Sequence, residues 1–426
     1  MCKLFEGGIL MDRAKRENTA AIILSVFLAY LTYMFIRSEL PLLLSDYNGH
    51  TYVYLPMFTG GDFVLGWKTV PYCIWHLGVL GMHYVLHIPL EISSASMSIF
   101  FAVLSYYIFY WMLLKYTAAY GNEMNSVKAA FVAFGLCVLQ PLYFSWLDAG
   151  GRFLGSYSMN PIHNPTQMSA RPFALLCICL VYDIWNKQRD EAYKGTFFHM
   201  EAGLKKPYIY LAVTLLLSTM TKPTFAEMFI PAVALIMLVE WIGRIRRKDG
   251  SASVYFKHCL NMFYCAIPGL LYILLAFLGY FIWGGSYGAD GSFTITKWLE
   301  VWSLFTENVT LSMALGLAFP LFVIMIDLRF FLKDNLGRLA LVGYAVSFFE
   351  AALLGEGGGK LSHGDFMWPM MWGMALLFIA ATLRLSVLEK TQGDTKVKSI
   401  LMDVAWFLFW LHVMFGLVYI KLSITF

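Results

Sequence analysis

Stretches of about 20 consecutive apolar residues recur along the chain, and each is long enough to cross a membrane as an α-helix. This feature restricts the fold more than any other in the sequence. Of the 426 residues only 14% are charged, whereas a soluble protein carries roughly 25%. The alternating pattern typical of a membrane β-barrel is absent. The sequence therefore predicts an all-α, polytopic helical bundle in a membrane.

About eleven membrane-spanning helices are predicted, and residues 1–426 are expected to form a single transmembrane domain. Residues 1–19 form a charged leader without a small-residue cleavage site, so the first apolar stretch is predicted to remain as a span. The long first loop, 38–93, contains a short apolar stretch at 72–90 that predicts an amphipathic or re-entrant half-helix. The predicted spans are 20–37, 95–115, 128–147, 168–186, 207–221, 224–243, 260–283, 309–328, 338–354, 367–384 and 400–421.

The positions of Lys and Arg predict the orientation, because short cytoplasmic loops are enriched in basic residues. If the leader is inside and the half-helix lies on the outer face, 23 of the 31 basic residues fall on inner segments. The other eight are Arg37, Lys68, Arg152, Arg171, Lys222, Lys297, Lys360 and Lys421. Counting 72–90 as a crossing would place the basic run 244–248 outside and remove this bias.

This topology predicts a cytoplasmic N-terminus in a bacterial plasma membrane. Five polar loops then share the outer face: 38–70, 148–170, 221–224, 284–308 and 355–366. The inner loops are short and charged, as solvated connectors are. Any chemistry is therefore expected at the extracytoplasmic face.

Asp46 and His50 follow the first predicted span, in the segment SDYNGH. In a helix, residues i and i+4 share one face, so this carboxylate and imidazole would point into one space. A carboxylate held near the membrane surface can act as a general base toward an acceptor hydroxyl. We therefore predict that Asp46 and His50 are catalytic, with Asp62 as the alternative base. The competing interpretation of Asp46 is a hydrated carboxylate in an Asx turn.

The segment DAGGRFLGSYSMNPIHNPTQMSAR, residues 148–171, lies between two apolar stretches yet is strongly polar. Its two Asn-Pro turns restrict the backbone on either side of His163, which favours a positioned side chain. The Arg171 guanidinium suits a phosphate, and it equally suits a plain anchor at the membrane interface. An Asp148–Arg152 surface pair is the simple alternative for those two residues. The predicted substrate-binding residues here are Asp148, Arg152, His163, Asn164 and Arg171.

Two further loops supply candidate substrate-binding residues. Lys222 lies at a Lys-Pro break between two short spans, an arrangement that lines cavities and suits a phosphate; otherwise it marks the membrane–water boundary. The loop GEGGGKLSHGDF contains three consecutive Gly that permit close backbone approach, or simply a flexible hairpin. Its candidates are Lys360, His363 and Asp365.

No metal or cofactor site is assigned from the sequence. His83 and His87 have a metal-compatible spacing but no accompanying H-E-x-x-H pattern, so interfacial packing is the preferred interpretation. The seven Cys are scattered without a C-x-x-C pair. A divalent metal is left open, and no nucleic-acid partner is expected.

The order of a first span, an outer loop with an acidic residue near its start, an outer half-helix and many further spans resembles the integral-membrane glycosyltransferases of the C-type superfamily. Three segments also resemble uncharacterised bacterial multi-span proteins: Pro161–Thr166, Leu217–Pro223 and His363–Trp368. The resemblance implies a polyprenyl-phosphate sugar donor and a catalytic carboxylate in the first outer loop, matching Asp46. It also implies basic residues that bind the lipid-linked phosphate, a role open to Arg171, Lys222 or Lys360. The chain departs from the family pattern in having no Asp-Glu or Asp-x-Asp in this loop and no large soluble outer domain.

We therefore predict an inverting membrane glycosyltransferase of cell-envelope polysaccharide synthesis. It would transfer a sugar from a polyprenyl-phosphate donor in the lipid bilayer to a glycan or other envelope acceptor. Besides a non-catalytic membrane scaffold, two alternatives remain open. One is a transporter or flippase of lipid-linked saccharides, in which the same charges line a pathway. The other is a polysaccharide polymerase or ligase, which would require a polyprenyl-diphosphate oligosaccharide.

Overall fold

The computed structural model describes residues 2–60, 63–147, 158–188, 205–248, 250–279, 283, 293–357, 361–391 and 396–425. The α-helices in these ranges are α1 (Cys2–Glu39), α2 (Asp46–Asn48), α3 (Leu55–Thr59), α4 (Phe63–Thr69), α5 (Ile74–Leu86), α6 (Leu90–Ala119), α7 (Ser126–Val138), α8 (Pro165–Lys187), α9 (Lys205–Thr221), α10 (Thr224–Arg247), α11 (Ser251–Phe277), α12 (Glu300–Ser303), α13 (Val309–Gly316), α14 (Ala318–Ile326), α15 (Leu328–Lys333), α16 (Asn335–Leu353), α17 (Trp368–Thr391) and α18 (Lys396–Thr425). Two short strands, β1 (Phe293–Ile295) and β2 (Leu354–Glu356), pair antiparallel.

Eight described helices are long and apolar enough to cross a membrane: α1, α6, α8, α10, α11, α16, α17 and α18. The pair α13 and α14, bent by 66°, adds a ninth if it forms one span. The prediction of an all-α, multi-pass membrane protein is thus confirmed. The predicted count of about eleven also needs α7, with 13 residues, and α9, with 17 residues. That count stays a prediction.

The short apolar stretch predicted at 72–90 contains α5, a helix of 13 residues. It packs on α6 through hydroxyl groups, because the Trp75 indole N–H donates to the Ser98 hydroxyl at 3.0 Å. Next to it, the Thr51 hydroxyl donates to the Ser94 hydroxyl at 3.2 Å. The side of the membrane on which α5 lies stays a prediction.

The most enclosed span is α17, in which 89% of the most apolar window is buried, whereas the corresponding value for α11 is 28%. Small residues let neighbouring helices approach closely, as is common in membrane bundles. Gly416 of α18 faces the end of α7, where an added Cβ would lie 1.8 Å from the carbonyl oxygen of Val138. The backbones of these two helices are therefore in direct contact.

The helices run back and forth between two chemically different ends of the bundle. We call one the basic end, defined by four ion pairs that join different elements: Lys115–Asp183, Lys128–Glu389, Arg338–Glu240 and Arg384–Asp327. We call the other the polar end; there α1 ends and α8, α10 and α17 begin. Which end faces the cytoplasm stays a prediction.

Candidate functional site

Asp46 lies at the polar end, directly after the first span. Ser45 caps the short helix α2, since its hydroxyl accepts from the Asn48 backbone N–H at 3.1 Å and donates to the Glu39 carbonyl at 2.6 Å. Asn164, 118 residues further along the chain, donates its side-chain N–H to Oδ2 of Asp46 at 2.9 Å. The half-exposed carboxylate keeps Oδ1 without a hydrogen bond to any described residue. Asn164 therefore holds Asp46 through Oδ2, and Oδ1 remains available to another hydrogen-bonding group.

Asn164 is positioned by the start of α8. Its Oδ1 accepts from the Gln167 backbone N–H at 2.9 Å and from the Thr166 hydroxyl at 2.8 Å, which makes Asn164 the N-cap. Pro165 occupies the first helical position, where its missing N–H costs nothing. The amide thus caps α8 with its oxygen and holds Asp46 with its nitrogen. The two predicted residues Asp46 and Asn164 are brought into direct contact.

His163 stacks on Trp368, with ring centroids 5.3 Å apart and planes 29° from parallel. Both of its ring nitrogens are buried, and neither has a hydrogen-bond partner within the described ranges. Burial lowers the pKa of His163, while the negative charge of Asp46 opposes this shift. The neutral imidazole can therefore both donate to and accept from a polar molecule that enters beside Asp46.

His50 contacts a second histidine rather than Asp46. Its Nδ1 lies 3.0 Å from Nε2 of His76 on α5, and its ring meets the edges of Tyr54 and Trp75. His50 is 4% exposed and His76 is fully buried. The two imidazoles share one hydrogen bond, so this pair joins the first loop to α5. The predicted catalytic role of His50 stays a prediction.

Lys222 lies nearly buried at the turn between α9 and α10, with its Nζ 4.1 Å from the centre of the Tyr72 ring. Burial lowers the pKa of both His50 and His76, and the positive charge of Lys222 lowers it further. Lys222 also interacts electrostatically with the carboxylate of Glu227. No ion pair closer than 4 Å joins it to a described carboxylate. Lys222 is therefore a buried cation that lies close enough to His50 and His76 to interact with them electrostatically.

Three carboxylates interact with one another at the polar end, and the sequence predicted only one of them. Glu227 in the first turn of α10 interacts electrostatically with Asp365, just before α17. Glu350 in the last turn of α16 interacts electrostatically with Glu227. Of these only Asp365 was predicted. The signal that could have found the others is a carboxylate within an otherwise apolar span, which is rare unless it has a function.

The Arg171 guanidinium is buried and bonded to the end of α7. The side chain is 5% exposed, and one guanidinium N–H donates to the carbonyl oxygen of Cys137 at 3.3 Å, near the end of α7. A cation at a helix C-terminus is favourable because the helix dipole is negative there. It also borders a small cavity of about 20 Å³ together with Trp372. This position supports the anchoring interpretation, with the anchored group being α7 rather than the membrane interface.

Buried polar atoms without partners are concentrated in the segment 160–171. Both polar side-chain atoms of Asn160, Nε2 of Gln167 and Nε of Arg171 lack a partner among the described residues, in addition to the His163 nitrogens. Such atoms are normally hydrogen-bonded, because each unpaired one costs about 1–3 kcal/mol. Their concentration next to Asp46 is what a binding site for a polar ligand would show.

Several predicted residues lie outside the described residues: Asp148, Arg152, Lys360, the side chain of His363, and the alternative base Asp62. Asp365 is exposed in a 3₁₀ turn immediately before α17. Within the described ranges, no group of three or more His, Cys, Asp or Glu could hold a metal ion. The metal question therefore stays open.

The buried His50–His76 pair should make the protein less stable in acid. Burial lowers the pKa of His76 to about 3 and, with the charges of His76 and Lys222, holds the pKa of His50 well below its usual range. Below pH ~6.5 these histidines become protonated in the unfolded chain but stay neutral in the folded protein. The free energy of unfolding therefore falls as the pH drops further. We expect a lower thermal midpoint at pH 5 than at pH 7, and a weaker pH dependence in His76→Gln. The exposed His87→Gln serves as control; equal pH dependence in both variants would contradict the assignment.

No protein-family model, curated protein or solved structure matches this chain.

Proposed function

We propose that the protein is a membrane glycosyltransferase that transfers a sugar from a polyprenyl-phosphate donor to an acceptor hydroxyl at the polar end of the bundle. By the positive-inside argument this end is extracytoplasmic, and the acceptor is a glycan or another component of a bacterial cell envelope. The reaction is a single displacement that inverts the anomeric carbon.

The observation that carries the proposal is the group of polar atoms without described partners that lies beside Asp46 at the polar end. At the basic end, the charged groups of Lys115, Lys128, Arg338 and Arg384 are paired with carboxylates. At the polar end, Oδ1 of Asp46 and the His163 ring nitrogens have no partner among the described residues. Single buried atoms without a described partner also occur at the basic end, such as Nε1 of Trp185 and Nε of Arg338, but residues 160–171 contain six of them next to a carboxylate. Such a concentration is typical of a site that binds a polar ligand.

Asp46 is the general base in this proposal. Its Oδ1 takes the proton of the acceptor hydroxyl as that oxygen forms a bond to the anomeric carbon, while Oδ2 remains bonded to Asn164. The bond between the anomeric carbon and the phosphate oxygen breaks, and its electron pair leaves with the polyprenyl phosphate. His163, supported by Trp368, orients the acceptor or the sugar.

Lys222 stabilises the leaving phosphate. Charge accumulates on the phosphate oxygens as the glycosidic bond breaks, and a cation in a site of low dielectric stabilises that charge more than it would in water. Lys222 is only 8% exposed, and it lies in the turn between α9 and α10. The polyprenyl chain would extend from there into the bilayer.

The transporter alternative ranks second. A transport pathway needs polar groups at the membrane midplane and on both faces. Glu227 and Glu350 are carboxylates on spanning helices, but they occupy the first turn of α10 and the last turn of α16, at the polar end. Their position supports a site at one end more than a path between the two ends.

The donor class can be tested with purified protein in proteoliposomes that also contain an envelope extract as the source of acceptor. We expect a labelled sugar to move from polyprenyl phosphate to an acceptor, with no transfer from a nucleotide sugar or from a polyprenyl-diphosphate oligosaccharide. Transfer only from the diphosphate would support the polymerase or ligase. Movement of the labelled lipid across the bilayer without transfer would support the flippase.

A further inference from the structure

An apolar groove of about 250 Å³ runs between α9, α10 and α11, away from the polar end. Its floor contains buried residues such as Leu211, Val233 and Met262, whereas Leu238 and Phe263 at its edges are 45% and 55% exposed. The groove therefore opens sideways, toward the hydrocarbon that surrounds the spans. A groove lined almost entirely by apolar groups offers a place for a hydrocarbon chain and none for a polar molecule.

The length of the groove matches one leaflet of a bilayer. On α10 its lining extends from Phe229 to Trp241, which is about 18 Å at 1.5 Å per residue. Half of a hydrocarbon core about 30 Å thick is about 15 Å. An acyl chain of one leaflet would therefore fit along the groove. The tilted pair of Trp241 and Phe256, with centroids 5.1 Å apart, marks the end of the groove, as interfacial aromatic residues do.

Beyond that aromatic pair the helical hairpin of α10 and α11 is strongly basic. It carries five cationic residues: Arg244, Arg246, Arg247, Lys248 and Lys257. The two acidic residues of the same stretch are Glu240 and Asp249, so the net charge over 240–257 is +3 (five minus two). Glu240 accepts a hydrogen bond from Tyr255 at 2.6 Å and pairs with Arg338 at 3.7 Å. Basic groups beside a groove between spanning helices are the arrangement that binds anionic lipid headgroups.

We propose that this groove and hairpin form a binding site for an anionic phospholipid of the leaflet at the basic end. One acyl chain lies in the groove against Val233 and Met262, and the phosphate headgroup contacts the basic hairpin near Arg246 and Lys248. The lipid fills the seam where α9, α10 and α11 leave a gap. The site is independent of the proposed transfer reaction.

The polyprenyl chain of a sugar donor is a poorer occupant. The groove begins at Phe229, five residues into α10, and the stacked pair Phe225–Phe229, with centroids 4.7 Å apart, lies between it and Lys222. Phe225 also packs edge-on against Trp372, at 5.5 Å. These rings separate the groove from the polar end, whereas its other end meets the cationic hairpin directly.

Native mass spectrometry of the delipidated protein can test this site, with phosphatidylglycerol and phosphatidylcholine of identical acyl chains offered in equal amounts. A second sample receives phosphatidylglycerol and polyprenyl phosphate in equal amounts. We expect the wild-type protein to retain phosphatidylglycerol at least about tenfold better, since each basic residue near the headgroup adds a substantial increment. Two variants test the two parts of the site. The triple variant R246Q/R247Q/K248Q changes only exposed side chains and should abolish the preference. Ala234→Trp, at an exposed position on the groove, should reduce retention of phosphatidylglycerol at least about fivefold by occupying the place of the chain.

The control variant K396Q/K398Q removes two exposed charges at the start of α18 and should leave the preference unchanged. An unchanged preference in the triple variant would overturn the headgroup assignment. Unchanged retention of phosphatidylglycerol by Ala234→Trp would show that no acyl chain occupies the groove. The preference would then come only from attraction of the headgroup to the basic surface. If polyprenyl phosphate is retained in place of phosphatidylglycerol, and Ala234→Trp abolishes that retention, the occupant is the donor lipid and the proposal is wrong.

Discussion

Replacing Asp46 by Asn is expected to lower the rate of sugar transfer about 100- to 10,000-fold, which is the usual contribution of a general base. The substitution keeps the shape of the side chain. Its amide oxygen can still accept the hydrogen bond that Asn164 donates to Oδ2 at 2.9 Å. The fold should therefore be preserved, and only the ability to take a proton should be lost. The rate is measured in proteoliposomes with a polyprenyl-phosphate sugar, and the thermal midpoint is measured on the same sample.

A matched control is Asp403→Asn, which removes an exposed carboxylate on α18 far from the polar end. It should leave the rate unchanged. Asn164→Asp adds a second test, because a carboxylate can still cap α8 but can no longer donate to Asp46. Placing two carboxylates side by side should lower transfer strongly at neutral pH and change the helix start little. Wild-type transfer by Asp46→Asn would rule out this residue as the base and leave Asp62 as the alternative.

Replacing Gly416 by Ala is expected to destabilise the protein by about 3 kcal/mol or more, at the upper end of overpacking effects. The added Cβ would lie 1.8 Å from the carbonyl oxygen of Val138 and 2.7 Å from its carbonyl carbon. A backbone carbonyl cannot rotate away as a side chain can, so α18 must move away from α7. The measurement is the thermal midpoint of the purified protein, together with the fraction that remains monodisperse.

The matched control for this variant is Gly243→Ala, also within a spanning helix. A Cβ at Gly243 would meet nothing within 4 Å. There the higher helix propensity of Ala should leave stability unchanged or raise it by about 0.5–1 kcal/mol. Equal midpoints for the two variants would show that α7 and α18 are not in the close contact described.

Periodicity and charge predicted the helical bundle because long apolar segments have few alternatives in a membrane. The helices α1, α6 and α17 follow directly from their apolar stretches. The stretches 128–147 and 207–221 were also predicted as spans, but α7 ends at Val138 and α9 has only 17 residues, so the structure does not establish that either crosses. The bend between α13 and α14 was not predicted, although Pro320 explains it: Pro320 has no N–H to donate to the carbonyl of Gly316, the last residue of α13.

For the candidate site, loop chemistry predicted Asp46, Asn164 and His163, because Asn-Pro turns and a carboxylate after a span are local signals. The contacts of these residues join segments that are far apart in the sequence. The ring that stacks on His163 is Trp368, which belongs to α17. His50 was paired with Asp46 on helical spacing, yet its bonded partner His76 belongs to α5, and residues 49–54 form a π-helix that changes the spacing. Sequence spacing alone does not fix such contacts.

The double use of the Asn164 amide has a consequence for biosynthesis. One side-chain group both starts α8 and orients Asp46, so the carboxylate acquires its position only when α8 has formed beside α1. A nascent chain that has inserted its N-terminal helices, but not this one, holds an unoriented carboxylate. Under the proposed function, sugar transfer would then require completed insertion, and we expect an arrested or truncated precursor not to consume the polyprenyl-phosphate donor.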